Sequence, residues 1–121
     1  MQNQFQLNEQ DGIIYITFQG DQTYNTVNEL ESYMQEAAKK LQELGRPILV
    51  LGDTTGMTHQ DSGSRKAGSE MMSHINLSKY ALVITSTYLR VISKLIAKAT
   101  GLEKKVKHFS NREDAITWLK S

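Results

Sequence analysis

The chain contains no cysteine, a single proline and no long hydrophobic run. Without cysteine, the protein has no disulfide, no thiolate nucleophile and no cysteine-ligated zinc. Nowhere do about 18 apolar residues follow one another, so the sequence predicts no transmembrane helix. The first residues also lack a charged segment followed by an apolar stretch, the pattern of a secretory signal. We therefore expect an unexported, cytoplasmic protein.

The chain is nearly neutral, since it has 14 Lys and Arg residues and 13 Asp and Glu residues. This balance gives no global reason to expect nucleic acid as a partner. With 121 residues, 39% of them hydrophobic, the chain is long enough for one core and too short for two ordinary ones. We expect a single domain over residues 1–121.

Strand signals come first along the chain. Asp11-Gly12 is a turn signal between a weakly alternating segment, residues 5–9, and a β-branched and aromatic segment, residues 13–18. These segments predict an opening β-hairpin. Residues 48–51 and 80–85 are apolar nearly throughout, which is typical of strands covered on both faces.

The last predicted strand, residues 105–109, alternates as an edge strand does. An exposed edge could pair with a second copy of the chain, which makes a homodimer an open alternative. The lysines of this segment work against such pairing.

Four helices are predicted between and after these strands. Thr26 and Glu29 have the spacing of a capping box, and the helix that they begin ends at Gly45. Ser110 and Glu113 repeat that spacing before the last helix. The two middle helices carry apolar stripes at Ala67, Met71 and Ile75, and at Leu89, Ile92, Leu95, Ile96 and Ala99.

The resulting order is β-β-α-β-α-β-α-β-α. Strands that alternate with helices require parallel neighbours joined by right-handed crossovers. We therefore predict an α/β fold with one mixed, mostly parallel sheet, an N-terminal hairpin and four helices.

A polar segment, residues 52–64, follows the buried strand 48–51 and is predicted to be a loop. In open α/β sheets, ligands and switches gather where a strand ends and the chain turns toward the next helix. Asp53 at this point, Thr85 after the next strand and Lys107 on the last strand resemble the phospho-acceptor site of receiver domains. Such domains also need an acidic pair for magnesium, and here Asp21 stands alone. This is the weaker alternative.

Catalysis and metal binding are not expected. The segment from Asp53 also resembles an aspartyl-phosphate loop, but the sequence offers no convincing magnesium site to stabilise the phosphoryl charge. His59 and Asp61 would make an incomplete metal site. Ser62 lies in no nucleophile elbow. The sequence therefore predicts no catalytic residue, no metal and no cofactor.

A binding module is a further alternative. Met71 and Met72 have flexible thioethers that suit adaptable apolar pockets, and the sequence predicts a pocket between their helix and the helix that carries Leu89 and Ile92. Such a pocket could hold a lipid or another apolar ligand. The same second helix carries a basic face that could meet an anionic membrane surface. That face consists of Arg90, Lys94 and Lys98.

The order of elements, together with the spacing from Asp53 to Asp61-Ser62-Gly63, resembles the STAS domains of the SpoIIAA-like, anti-sigma-factor antagonist-like family. In that family an Asp-Ser-Ser-Gly motif begins a helix, and its first serine is phosphorylated; Ser62 has that position here, although Gly63 separates it from Ser64. The second half of the chain resembles the family's subgroup of unknown function, in residues 80–84, 88–99, 106–109 and 114–119. That subgroup is also grouped with CRAL-TRIO-like lipid-binding proteins.

The resemblance implies a non-enzymatic regulatory domain that binds a protein partner and is switched by phosphorylation at Ser62. A phosphate there would face the free N–H groups of a helix N-terminus. Its charge could repel an acidic partner without refolding the domain. The segment expected to contact the partner comprises Asp53, Thr54, Thr55, Met57, His59, Asp61 and Ser64, with Ser62 at its centre.

Overall fold

The computed structural model describes residues 2–121. Of the predicted domain, residues 1–121, only Met1 lies outside the described residues. The strands of this part are β1 (Gln4–Asn8), β2 (Ile13–Gln22), β3 (Leu49–Gln60), β4 (Lys79–Val83) and β5 (Val106–Phe109). The helices are α1 (Tyr24–Asn28), α2 (Glu31–Glu43), α3 (Ser62–Ser73), α4 (Thr87–Ala99) and α5 (Arg112–Leu119).

The five strands form one sheet in the order β1-β2-β3-β4-β5. β1 runs antiparallel to β2, and each later pair is parallel. The predicted α/β fold, with its N-terminal hairpin and mostly parallel sheet, is confirmed. The first predicted helix consists of two pieces, α1 and α2. β5 lies at an edge of the sheet, as expected, and its pairing with a second copy stays a prediction.

Two predicted helix caps are displaced along the chain. α1 begins at Thr23, whose side chain accepts from the Thr26 N–H, while the Thr26 hydroxyl accepts from the Thr23 N–H. Thr26 is thus the third residue of the helix and not its cap. The cap of α5 is Asn111, which accepts from Asp114, and not Ser110. Ser, Thr and Asn cap helices about equally well, so residue type alone does not decide among neighbours.

The prediction of a polar loop from residue 52 is wrong, because β3 continues to Gln60. Its second half pairs with the second half of β2, with Gln19 opposite Gly56 and Gln22 opposite Gln60. Two shifts of register interrupt this pairing. Backbone N–H and C=O groups make the bonds of a strand ladder, so a polar segment can extend a strand when a neighbour is available.

The sheet has a core on each face. Alternation along β2 and β3 sends Ile14 and Val50 to one face, and Ile13 and Leu51 to the other. On the first face α1, α2 and α3 supply most of the buried side chains. On the second face α5 packs on β3, β4 and β5. α4 covers the first face only thinly, since Ala97 is its one fully buried residue.

Candidate functional site

The N-terminus of α3 presents one free hydroxyl. Asp61 caps the helix, and its carboxylate accepts from the Ser64 N–H at 2.8 Å. The buried Ser64 hydroxyl donates to the backbone carbonyl of Asp61, also at 2.8 Å. Ser62 is the first residue of the helix and is exposed. Of these two serines, only Ser62 is open to a modifying enzyme, and Ser64 is part of the cap.

Gly63 is explained by the packing of α1 against α3. A Cβ atom at residue 63 would lie 3.2 Å from Cβ of Tyr24 and 3.3 Å from the carboxylate of Asp61. Tyr24 is held there by its hydroxyl, which donates to Glu70 on α3 at 2.8 Å. The Cβ atom of a second serine next to Ser62 would therefore be crowded by Cβ and the backbone nitrogen of Tyr24.

Asp53 is buried at the point where β3 passes the end of β4. Both of its carboxylate oxygens accept hydrogen bonds from other residues of the chain. One carboxylate oxygen accepts from the Thr55 N–H at 2.9 Å and the Thr55 hydroxyl at 2.7 Å. The other accepts from Nε of Arg112 at 2.7 Å. Burial would raise the pKa of Asp53, but the bonds from Thr55 and Arg112 outweigh it and hold the pKa below its ordinary value.

Arg112 is the important residue that sequence reasoning missed. It begins α5, binds Asp53 on β3 and donates to the Thr17 hydroxyl of β2 at 3.0 Å. Its position in the sequence offered one signal. Arg112 follows the last parallel strand, and the carboxyl ends of parallel strands share one edge of the sheet, so its side chain is expected near Asp53 at the end of the buried part of β3. With both oxygens of Asp53 engaged in this junction, the carboxylate ties α5 to the sheet.

The other residues expected to contact a partner lie in different environments. Thr54 is buried, and its hydroxyl donates to the Val83 carbonyl at 2.9 Å. His59 is exposed and contacts the Asp21 carboxylate at 3.1 Å. Met57 is half-buried and packs against the first core. Only part of the predicted surface is thus accessible, chiefly Thr55, His59, Asp61 and Ser62.

A cavity of about 120 Å³ lies between α3, α4 and the sheet. Met71 and Met72 line it, as the sequence analysis expects. On α4, however, Ser93, Ile96 and Ala97 line the cavity, and the assignment of Leu89 and Ile92 to it is wrong. Leu89 lies one turn before Ser93 on the same side of α4, so the prediction placed the contact too close to the N-terminus of the helix.

Large apolar side chains on the outer side of α4 lie in solvent. Tyr88, Val91 and Leu95 are 63%, 53% and 60% exposed. The basic face lies beside them: Lys94 and Lys98 are exposed, and Arg90 is half-buried, with one guanidinium N–H donating to the Ile84 carbonyl at 3.2 Å. α4 therefore shows an apolar stripe and a row of cations on its outer side.

His108 of β5 adds a buried polar atom close to this helix. Its Nε2 has no hydrogen-bond partner among residues 2–121. Burial lowers the pKa of His108, and the nearby charges of Lys94 and Arg90 lower it further. Within residues 2–121, no three His, Asp or Glu side chains are grouped so that they could hold a metal ion. No helix of this part is long and apolar enough to cross a membrane.

Comparison with known proteins places this geometry in context. A family model described as "Domain of unknown function (DUF7793)" matches residues 7–121. No curated protein matches the chain. An uncharacterised protein of the DUF3478 family from Shewanella loihica PV-4, described as having a SpoIIAA-like fold, is similar in structure. The TM-score is 0.70 at 14% identity, over 97% of this chain and 91% of the other.

The unphosphorylated form of the anti-sigma factor antagonist SpoIIAA is also similar, with a TM-score of 0.68 at 11% identity, over 98% of this chain and 97% of the other. At such identities the likeness shows the fold alone. The predicted SpoIIAA-like fold is confirmed, while the grouping with CRAL-TRIO-like lipid-binding proteins stays a prediction.

Proposed function

Because the chain belongs to the DUF7793 family of domains of unknown function and has the SpoIIAA-like fold, we propose that it is a non-enzymatic, cytoplasmic regulatory domain. It binds a protein partner at the N-terminus of α3, and phosphorylation of Ser62 switches that binding. The observation that carries the proposal is the exposed hydroxyl of Ser62 at the first position of α3, next to a serine that is buried in the cap.

The helix N-terminus would tolerate a phosphate at Ser62. The positive end of the helix dipole stabilises a nearby anion by about 0.3 to 1 kcal/mol, and Lys66 lies one turn farther on the exposed side of α3. A phosphate adds about −1.5 to −2 charges, which repels an acidic partner without refolding the domain.

Replacement of Ser62 by Asp and by Asn tests the switch. The two side chains have nearly the same size, so Ser62→Asn controls for shape while Ser62→Asp adds the charge. Tagged variants would be used to recover the partner from the native host. We expect Ser62→Asp to lose the partner and Ser62→Asn to retain it, with free energies of unfolding within about 0.5 kcal/mol of each other. Equal recovery by both variants would contradict the proposal.

Intact mass spectrometry of protein purified from the host tests the modification itself. The expected result is a fraction that carries one phosphoryl group, lost in Ser62→Ala and kept in Ser64→Ala. A phosphoryl group that persists in Ser62→Ala would assign the modification to another residue.

We also propose that the outer side of α4 binds an anionic membrane surface, because Tyr88, Val91 and Leu95 are exposed beside its three cations. An amphipathic helix of this kind lies in the membrane interface with its apolar side chains inserted. Each basic residue near an anionic surface contributes about 1 kcal/mol. The three cations together would favour phosphatidylserine over phosphatidylcholine by roughly a hundredfold.

Sedimentation with vesicles of phosphatidylserine, and with vesicles of phosphatidylcholine alone, tests this second proposal. We expect binding to the anionic vesicles that weakens as salt is added. Leu95→Glu should abolish binding, whereas Glu43→Gln, on the exposed end of α2, should leave it unchanged. Equal binding of wild type and Leu95→Glu would exclude α4 as the contact.

A further inference from the structure

The cavity between α3, α4 and the sheet is lined by Tyr80 of β4, whose hydroxyl makes no hydrogen bond within residues 2–121. The Tyr80 side chain of β4 is 6% exposed, and its ring reaches across to Gly52 of β3, where a Cβ atom would lie 2.7 Å from the hydroxyl oxygen. Burial alone raises the pKa of Tyr80, and no hydrogen bond or charge from residues 2–121 offsets it. Within residues 2–121 the fully buried side-chain polar atom without a partner is His108 Nε2, so the Tyr80 hydroxyl keeps some exposure. A ligand in the cavity would supply the hydrogen bond that the protein does not provide.

A second polar group in the same cavity also lacks a partner. Arg65 of α3 is half-buried and lines the cavity. It takes part in none of the four ion pairs formed within residues 2–121. A guanidinium that is partly withdrawn from water is stabilised by an anion, so the cavity has a place for negative charge.

Most of the remaining wall surface is apolar. It is formed by side chains such as Met71, Met72, Leu82, Ile96 and Val106. A cavity of about 150 Å³ with such walls holds a benzene ring. The volume of about 120 Å³ found here therefore suits an apolar group on the order of six carbon atoms.

We propose that this cavity binds a small carboxylic acid whose apolar body fills the space between α3 and α4 and whose polar group is recognised by Tyr80 and Arg65. A molecule of this size binds with a dissociation constant on the order of millimolar or below.

Three probes of matched shape test the recognition. Benzoate, benzyl alcohol and toluene have the same ring and differ in charge and hydrogen-bonding capacity. Titrations followed by the amide chemical shifts of α3 and α4 would give the dissociation constants. We expect benzoate to bind most tightly and toluene least. Equal affinity for all three, or an absence of shifts in α3 and α4 at about 10 mM ligand, would overturn the proposal.

Variants assign the two polar contacts. Tyr80→Phe removes only the hydroxyl and should weaken benzoate and benzyl alcohol about five- to tenfold, leaving toluene unchanged. Arg65→Gln should reduce the affinity for benzoate to that for benzyl alcohol. If neither variant changes the order of affinities, the polar recognition proposed here is wrong.

Gly68 allows the cavity to be filled. It lies on α3 at the cavity wall, and a Cβ atom there would meet nothing within 4 Å. We expect Gly68→Leu to occupy the space and abolish binding of all three probes, and Gly68→Ala to retain it. Undiminished binding to a folded Gly68→Leu protein would place the ligand elsewhere, and the Tyr80→Phe measurement decides the question if that variant does not fold.

Discussion

Asp53 on one face of the sheet and Tyr80 on the other differ in how their polar atoms are bonded. On the face that α5 covers, both oxygens of Asp53 have partners, in Thr55 and Arg112. On the face toward α3 and α4, Tyr80 and Arg65 line a cavity. Their side chains make no hydrogen bond or ion pair within residues 2–121. The first arrangement is complete within the chain and contributes to stability. In the proposed site, a ligand would supply the partners that Tyr80 and Arg65 do not find within the chain.

Removing Arg112 should have the largest effect on stability, because it leaves the Asp53 carboxylate buried and without its cation. The loss of one partner from a buried ion pair costs about 3 to 5 kcal/mol. Arg112 is 43% exposed in this pair, whereas Asp53 is 10% exposed, so partial solvation reduces the expected loss for Arg112→Met to about 2 kcal/mol.

Urea unfolding measures this loss, and Arg65→Met is the matched control on the other face. Since Arg65 has no ion pair to lose, that variant should change the free energy of unfolding by less than about 0.5 kcal/mol. Similar losses in the two variants would mean that the two faces do not differ as described.

Lowering the pH should have the second largest effect on stability, through Asp53 on the face of the sheet that α5 covers. The pKa of Asp53 is lowered in the folded protein despite its burial, so the stabilisation is present above the unfolded pKa, near about 3.9, and is lost as the pH falls through the folded value. Asp53→Asn cannot titrate. The difference in free energy of unfolding between wild type and Asp53→Asn should therefore shrink between about pH 5 and pH 3. A constant difference would remove Asp53 from the acid response.

Filling part of the cavity face should stabilise the protein. Gly68→Ala replaces a helical glycine where a methyl group meets nothing within 4 Å, and the free energy of unfolding should rise by about 1 kcal/mol. Gly63→Ala, at the other glycine of α3, should gain less or lose, because its methyl group would press on Tyr24. Thermal unfolding of the two variants makes the comparison, and equal gains would argue against the contact with Tyr24.

Tyr80→Phe should have the smallest effect. Its hydroxyl makes no hydrogen bond within residues 2–121, so no interaction is lost, and we expect a change within about 0.5 kcal/mol. A loss above about 1 kcal/mol in urea unfolding would show that this hydroxyl has a structural partner after all.

Most of the fold followed from apolar runs and stop signals. Residues 48–51 and 80–85 are apolar because their strands are covered on both faces, and Gly45 and Gly101 follow helices with φ of +68° and +74°. The second half of β3 gave no such signal. Its pairing with β2 depends on backbone groups and on a neighbour that is distant in sequence. The polarity of the local side chains contains no information about either.

The candidate site was predictable only in part, for a related reason. The exposure of Ser62 follows from its place at a helix N-terminus. The partnership of Asp53 with Arg112 joins residues 59 positions apart, and no local spacing reports it. Helical periodicity identified the apolar residues of α4 but not which turn of the helix borders the cavity, so Leu89 and Ile92 were assigned to a cavity that Ser93 and Ile96 line.

The order of strands in the sheet coincides with their order in the chain. During synthesis, each strand that leaves the ribosome finds its neighbour already made, and the sheet can grow in one direction without waiting for a distant segment. Arg112 is the exception, since it reaches back to β3 and to Thr17, which lies 95 positions away. Until α5 is made, Asp53 lacks its cation and one face of the sheet lacks its cover, so the nascent domain is completed only by its last helix.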